Sequence, residues 1–224
     1  MGTAGKLIAL AVALFLTVTT QAREKIRYVA LGDSYTIGEG ASPNEAWPAL
    51  LTRHLNAEGV DVDLVANPSV TGWTTQQLID NELPIFRKAK PNFGTLLIGV
   101  NDWVQGVSAE TFRNNFNHIL EEMLSILPNK SRLLVITIPD FGVTPTGAKY
   151  ARGRNISDGI ASFDKIVTDE SEKRGLRLVD VYPLSKKMGE DRSLVAADGL
   201  HPSAKAYAEW EKIVFPAALQ VLEE

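Results

Sequence analysis

The sequence predicts an α/β fold, a three-layer α/β/α sandwich, on three observations. Short apolar runs alternate with helical patterns along the chain, the sign of βαβ units and a parallel sheet. The runs, at 26–31, 60–65, 93–100, 133–138 and 176–181, are rich in β-branched residues, as strands covered on both faces require. Two Gly- and Pro-rich segments, 36–44 and 139–147, follow the first and fourth runs, where such a sheet places the walls of a cleft. With 224 residues, 45% of them hydrophobic, the chain has enough apolar matter for one sizeable core.

The chain opens with an expected leader. Lys6 precedes a stretch from Leu7 to Ala22 without a charge, and Thr20-Gln21-Ala22 gives a small-x-small ending before Arg23. These features read as a secretory signal peptide over 1–22, cleaved after Ala22, so that the mature protein is secreted or periplasmic. The alternative, a retained membrane anchor, needs a longer apolar core than one closed by Thr17, Thr19, Thr20 and Gln21. There is no cysteine, so no lipidated cysteine or disulfide is available to the mature chain. The formal net charge is -4 with Lys and Arg scattered, whereas a nucleic-acid partner asks for a clustered basic face. No nucleic-acid partner is expected.

After the first strand, a helix is predicted from Trp47, where Leu50, Leu51, His54 and Leu55 keep a 3.6-residue period. Thr74-Thr75-Gln76-Gln77 has the form of a capping box and predicts a helix just after Gly72. Phe112, Phe116, Ile119, Leu120, Met123 and Leu127 make one stripe, with Ser108 placed to cap it. Ile160, Phe163, Ile166 and Val167 mark a helix before the last strand. A final helix runs from Ser203 through Tyr207, Trp210 and Val214, with Pro216 expected to kink or end it. No internal repeat, low-complexity tract or interdomain linker interrupts 23–224, which reads as one catalytic domain.

The first strand stops at Gly32-Asp33-Ser34, which delivers a serine hydroxyl to the carboxyl edge of the sheet. Serine becomes a nucleophile only with a base and oxyanion donors. Three histidines are available. His54 falls on the apolar stripe of its helix and reads as a satisfied boundary or core residue, and His118 reads as a solvated surface residue. His201 follows the last strand in Asp198-Gly199-Leu200-His201-Pro202. If that segment turns, Asp198 accepts from Nδ1–H of His201 and leaves Nε2 free to take the Ser34 proton. The same four residues also suit a plain surface turn with Asp198 as an Asx-type residue.

For the oxyanion, Asn101 at the end of Ile98-Gly99-Val100-Asn101-Asp102 offers an uncharged side-chain donor, although Asn-Asp after a strand also serves as a simple turn. Gly72 offers a backbone N–H with no Cβ in the way, and Ser34 offers its own N–H. Asp33 and Asp102 read as loop-shaping acceptors. Trp73 and Trp103, which follow the donor positions, are candidates to line a substrate pocket or to pack loops on the sheet rim.

Gly32-Asp33-Ser34, Gly72, Gly99-x-Asn101-Asp102 and Asp198-x-x-His201 occur in an order that resembles the four blocks of the SGNH, or GDSL-type, hydrolase family, across nearly the whole mature chain. The resemblance implies Ser34 as nucleophile, His201 and Asp198 as base and orienter, and an oxyanion hole of Ser34 N–H, Gly72 N–H and Asn101 Nδ2. It also implies a flavodoxin-like five-stranded sheet in the order 2-1-3-4-5, with no metal and no cofactor. Ala46-Trp47-Pro48-Ala49-Leu50-Leu51 and Trp73 are most similar to the secreted lysophospholipase and thioesterase-like branch.

The expected partner is therefore a small-molecule, lipid or acyl-sugar ester, opened through an acyl-enzyme. Lysophospholipids, acyl thioesters and acetylated carbohydrates all present the required carbonyl. Two other classes compete: a dinuclear metallophosphoesterase, for which three histidines are too few, and a non-catalytic binding protein on the same fold.

Overall fold

The computed structural model describes Gly2 and residues 25–223, so the expected leader lies, but for Gly2, outside the described residues. Five strands form one sheet: β1 Ile26–Gly32, β2 Val62–Ala66, β3 Phe93–Leu97, β4 Leu133–Ile136 and β5 Arg177–Val179. The order is β2-β1-β3-β4-β5 and every pairing is parallel, as the resemblance implies. β1, β3 and β4 are central and almost wholly buried, which is why they lack a polar face.

Helices cover both faces. On one, α2 (Trp47–Ala57) packs against α9 (Ala204–Glu223), the helix that follows the short α8 (Tyr182–Ser185) in the chain. On the other, α4 (Leu83–Ala89), α6 (Ala109–Ile126) and α7 (Ile156–Arg174) pack in series. The predicted caps form: Ser108 Oγ accepts from Thr111 N–H at 3.0 Å, and Thr74 N–H donates to Gln77 Oε1 at 2.8 Å. The α6 stripe from Phe112 to Met123 is buried as expected. Among the described residues no helix is long and apolar enough to cross a membrane.

Three expectations need correction. The third strand ends at Leu97, not Val100, because Gly99 takes φ +129 and turns the chain into α5 (Val100–Gln105). The helix after Gly72 is not continuous: α3 (Thr75–Gln77) passes into a π-turn, Leu78–Glu82, before α4. Pro84 follows at once, and the wider π-turn makes room for a ring that would strike the carbonyl four residues back in a regular α-helix. Finally, α9 does not end at Pro216 but continues to Glu223, held by the burial of Val214, Ala218 and Val221 against the core.

Candidate active site

β1 leads into the short helix α1 (Ser34–Ile37), and Asp33 caps it, Oδ1 accepting from Tyr35 N–H at 3.0 Å. Ser34 therefore occupies the first helical position, where the N–H has no acceptor in its own helix. Among the described residues that N–H has no partner. Gly32 lets the turn sit so low on the sheet. A Cβ there would stand 2.2 Å from Thr36 Oγ1 and 2.3 Å from the Leu97 carbonyl.

His201 arrives from the other end of the chain. Asp198 turns the loop on itself: Oδ1 accepts from Leu200 N–H at 2.8 Å and from His201 N–H at 3.0 Å, while Oδ2 lies 2.6 Å from His201 Nδ1. The Asx-type turn and the orienting contact are thus one structure. Partial burial works to raise the Asp198 carboxyl, but the bonds from the His201 side chain and the two N–H groups outweigh it and hold it below the usual carboxylate value. The loop is fastened by Thr146, whose N–H and Oγ1 both donate to the Gly199 carbonyl, at 2.9 and 3.0 Å. The Tyr35 ring meets the His201 imidazole edge-on at 5.8 Å.

Asn101 lies in the first turn of α5. Its Nδ2 donates to the Trp73 carbonyl at 2.9 Å and, at 3.3 Å, to Asp33 Oδ2. The first bond, with Gln105 Nε2 donating to the Gly72 carbonyl at 3.1 Å, docks the Gly72 turn on α5. Gly72 takes φ +87, yet a Cβ there would meet nothing within 4 Å. Conformation, rather than clearance inside the protein, is what asks for glycine at this turn.

Ser34, Asn101 and His201 line one small cavity, walled by Val100, Val104, Phe141, Tyr150 and Leu200. Gly72 is not among the residues that line it; its carbonyl is held by Gln105, and the next carbonyl, of Trp73, by Asn101. The two tryptophans do not line the cavity. Trp103 is buried in the core, with Arg154 over its ring at 3.9 Å, its indole against Gly159 and Phe141 edge-on, so its candidate pocket role is not where the structure puts it. Trp73 contributes its carbonyl. Sequence reading missed Phe141 and Tyr150, which the 139–155 segment delivers. Phe141 belongs to the 139–147 cleft-wall segment and Tyr150 lies just beyond it, and nothing in the composition of either stretch singles out those two rings.

The other histidines behave as surface and boundary residues. His54 is exposed, bonded to Glu211 at 3.0 Å and stacked on Phe215, a boundary position rather than the core. Beneath Ser34 the acids are dry. Burial pushes the Asp33 carboxyl up to about 8, with the nearby Asp102 charge adding to the rise. Asp102 accepts from Thr75 N–H and Thr75 Oγ1, and burial raises it too. Both acids therefore act as loop-shaping acceptors, as their sequence positions suggest. Glu82, which sequence reading did not single out, is also buried under the turn.

Residues 30–209 match the GDSL-like Lipase/Acylhydrolase family. The chain belongs to that family. It is accordingly a hydrolase of ester bonds, and its substrates are small-molecule esters. An arylesterase of Vibrio mimicus is 27% identical over 201 residues, covering 90% of this chain and 91% of the relative. Thioesterase 1/protease 1/lysophospholipase L1 of Escherichia coli (strain K12) is 29% identical over 111 residues, about half of each chain (49% and 51%). Among solved structures, a family 3 carbohydrate esterase of Clostridium thermocellum superposes with a TM-score of 0.71 at 19% identity, over 89% of this chain and 98% of that one. That likeness establishes shared fold.

Proposed function

We propose that this acylhydrolase is a secreted serine esterase that cleaves carboxylic esters of short or aryl acyl groups through an acyl-enzyme. The observation that carries the reading is the 2.6 Å Asp198–His201 contact on a histidine that faces the same cavity as Ser34. Nδ1 is engaged by the carboxylate, so Nε2 is the ring atom left to take the Ser34 proton as Oγ attacks the ester carbonyl. The oxyanion is met by the Ser34 N–H, the Gly72 N–H and Asn101 Nδ2, of which the two backbone donors are unpartnered among the described residues. The long 3.3 Å contact of Asn101 with Asp33 is the one a substrate oxygen displaces, since the 2.9 Å bond to Trp73 is needed to hold the Gly72 turn. His201 then protonates the leaving alcohol, and water repeats the sequence on the acyl-enzyme. No metal or organic cofactor enters any step.

The acyl preference follows from the walls. A small cavity walled by the apolar side chains of Phe141, Tyr150, Leu200, Val100 and Val104 suits an acyl group of a few carbons better than a long chain. An acetylated sugar satisfies the same acyl requirement, and the carbohydrate esterase likeness supports this second reading. The uncharged 7–22 segment behind Lys6 supports secretion. A series of p-nitrophenyl esters, beside acyl thioester, lysophospholipid and acetyl-xylan, tests the proposal. Acetate and butyrate are expected to exceed palmitate in kcat/KM by about tenfold or more. Palmitate as the best ester overturns the short-acyl reading, and activity retained by Ser34→Ala overturns the mechanism.

A further inference from the structure

The turn that carries Ser34 rests on a buried carboxyl that no proposed chemical step uses. β1 pairs with β2 only as far as Val29 but with β3 as far as Gly32, so on the β2 side the last N–H groups of β1 find no strand. Glu82 fills that gap: its Oε2 accepts from Gly32 N–H at 3.0 Å. The residue is fully buried, and its other oxygen, Oε1, has no partner. Its place in the fold is an unusual one for an acid. Glu82 lies four residues after Leu78 and four before Phe86, both buried, so it occupies a core position of the helical stripe. It is also the last residue of the π-turn, a local widening found disproportionately beside functional sites.

An apolar side chain would fill such a position at less cost, because a buried carboxyl with one empty oxygen loses hydration without full replacement. What an apolar residue cannot do is hold the Gly32 N–H. Gly32 is followed directly by Asp33, which caps α1, and by Ser34, whose Oγ and N–H both work in the proposed reaction. A shift of Gly32 therefore moves nucleophile and oxyanion donor together.

We propose that Glu82 is a positioning residue for catalysis: through the Gly32 N–H it fixes the seat of the Ser34 turn, and with it the attack geometry and one oxyanion donor. The inference rests on the reading of Ser34 as nucleophile. Asp164 supplies an internal comparison, since it too is a buried acid that accepts a strand-end N–H, that of Ile138 at 2.7 Å, with its second oxygen unpartnered, but it stands far from Ser34 in the chain and lines no part of the Ser34 cavity.

The test measures kcat and KM on p-nitrophenyl acetate for Glu82→Leu, Glu82→Asp, Glu82→Gln and Asp164→Asn, with active sites counted by a fluorophosphonate label. Glu82→Leu and the shortened Glu82→Asp should lose about 10- to 100-fold in kcat with KM changed less than about threefold, as a misplacement near 1 Å does. Glu82→Gln keeps an acceptor for Gly32 and should stay within about threefold of the parent, and so should Asp164→Asn. Should Glu82→Leu fail to fold, Glu82→Asp and Glu82→Gln still separate the outcomes. Unchanged kcat in folded Glu82→Leu or Glu82→Asp overturns the proposal, as does a Glu82→Gln variant as slow as Glu82→Asp. A fluorophosphonate that labels the parent enzyme somewhere other than Ser34 sinks the nucleophile assignment instead, a result distinct from either.

Discussion

The acids on the two sides of the candidate nucleophile are held in opposite ways. Below Ser34, Asp33 and Glu82 are buried and pushed up to about 8 by loss of hydration, each receiving a backbone N–H from the turn. Behind His201, Asp198 keeps 41% of its side chain exposed and is held below its ordinary value by donors that converge on it. One residue type is thus set to two different ends by its surroundings. A carboxyl that only shapes the chain can be dry and largely neutral at pH 7, whereas one that must stabilise an imidazolium has to stay charged.

The largest break in that comparison is expected from Asp198→Asn. It should lower kcat by about 10³-fold or more, because an amide neither enforces the tautomer nor balances the imidazolium, with little change in Tm. Steady-state kinetics beside a melting curve decide it, and a loss below tenfold would remove Asp198 from the mechanism. Asn101→Ala comes next, with a loss of about 10²- to 10³-fold in kcat as for one oxyanion donor, while an effect confined to KM would make it a binding residue.

The smallest effect is one of stability and has the opposite direction. Burial pushes Asp164 up to about 8 from a usual value near 3.8. Between those values the unfolded chain has released a proton that the folded chain retains, so this group's contribution falls as pH rises from about 4 to about 8 and is level above. Asp164→Asn keeps the acceptor for Ile138 N–H and removes that penalty. Its Tm relative to the parent should therefore rise steadily between pH 5 and 8 and level off above. A difference independent of pH would contradict the raised carboxyl.

How legible all this is from sequence depends on what kind of signal a residue leaves. All five strands and the helices capped by Ser108 and Thr74 are readable because periodicity and caps act locally. Strand ends are not, since β3 stops where Gly99 turns, a matter of tertiary geometry. Ser34 and Asn101 are readable because each follows a strand end, and His201 because competent chemistry narrows three histidines to one; the structure brings all three to one cavity. Trp103 misleads, because a tryptophan beside a donor looks the same whether it faces a cleft or lies under Arg154. Glu82 is hidden within Asp80-Asn81-Glu82, which reads as an exposed polar stretch. The signal that would have found it is a carboxyl at the core position between Leu78 and Phe86.

On the proposed mechanism, the groups around the cavity converge to make Ser34 the nucleophile. The most direct measurement is reaction with a fluorophosphonate followed by mass spectrometry of the digested protein. One label per chain is predicted, on the peptide holding Ser34, with esterase activity lost in proportion and labelling abolished in His201→Ala. A label on another residue, or full activity in a chain whose Ser34 is blocked, would contradict it.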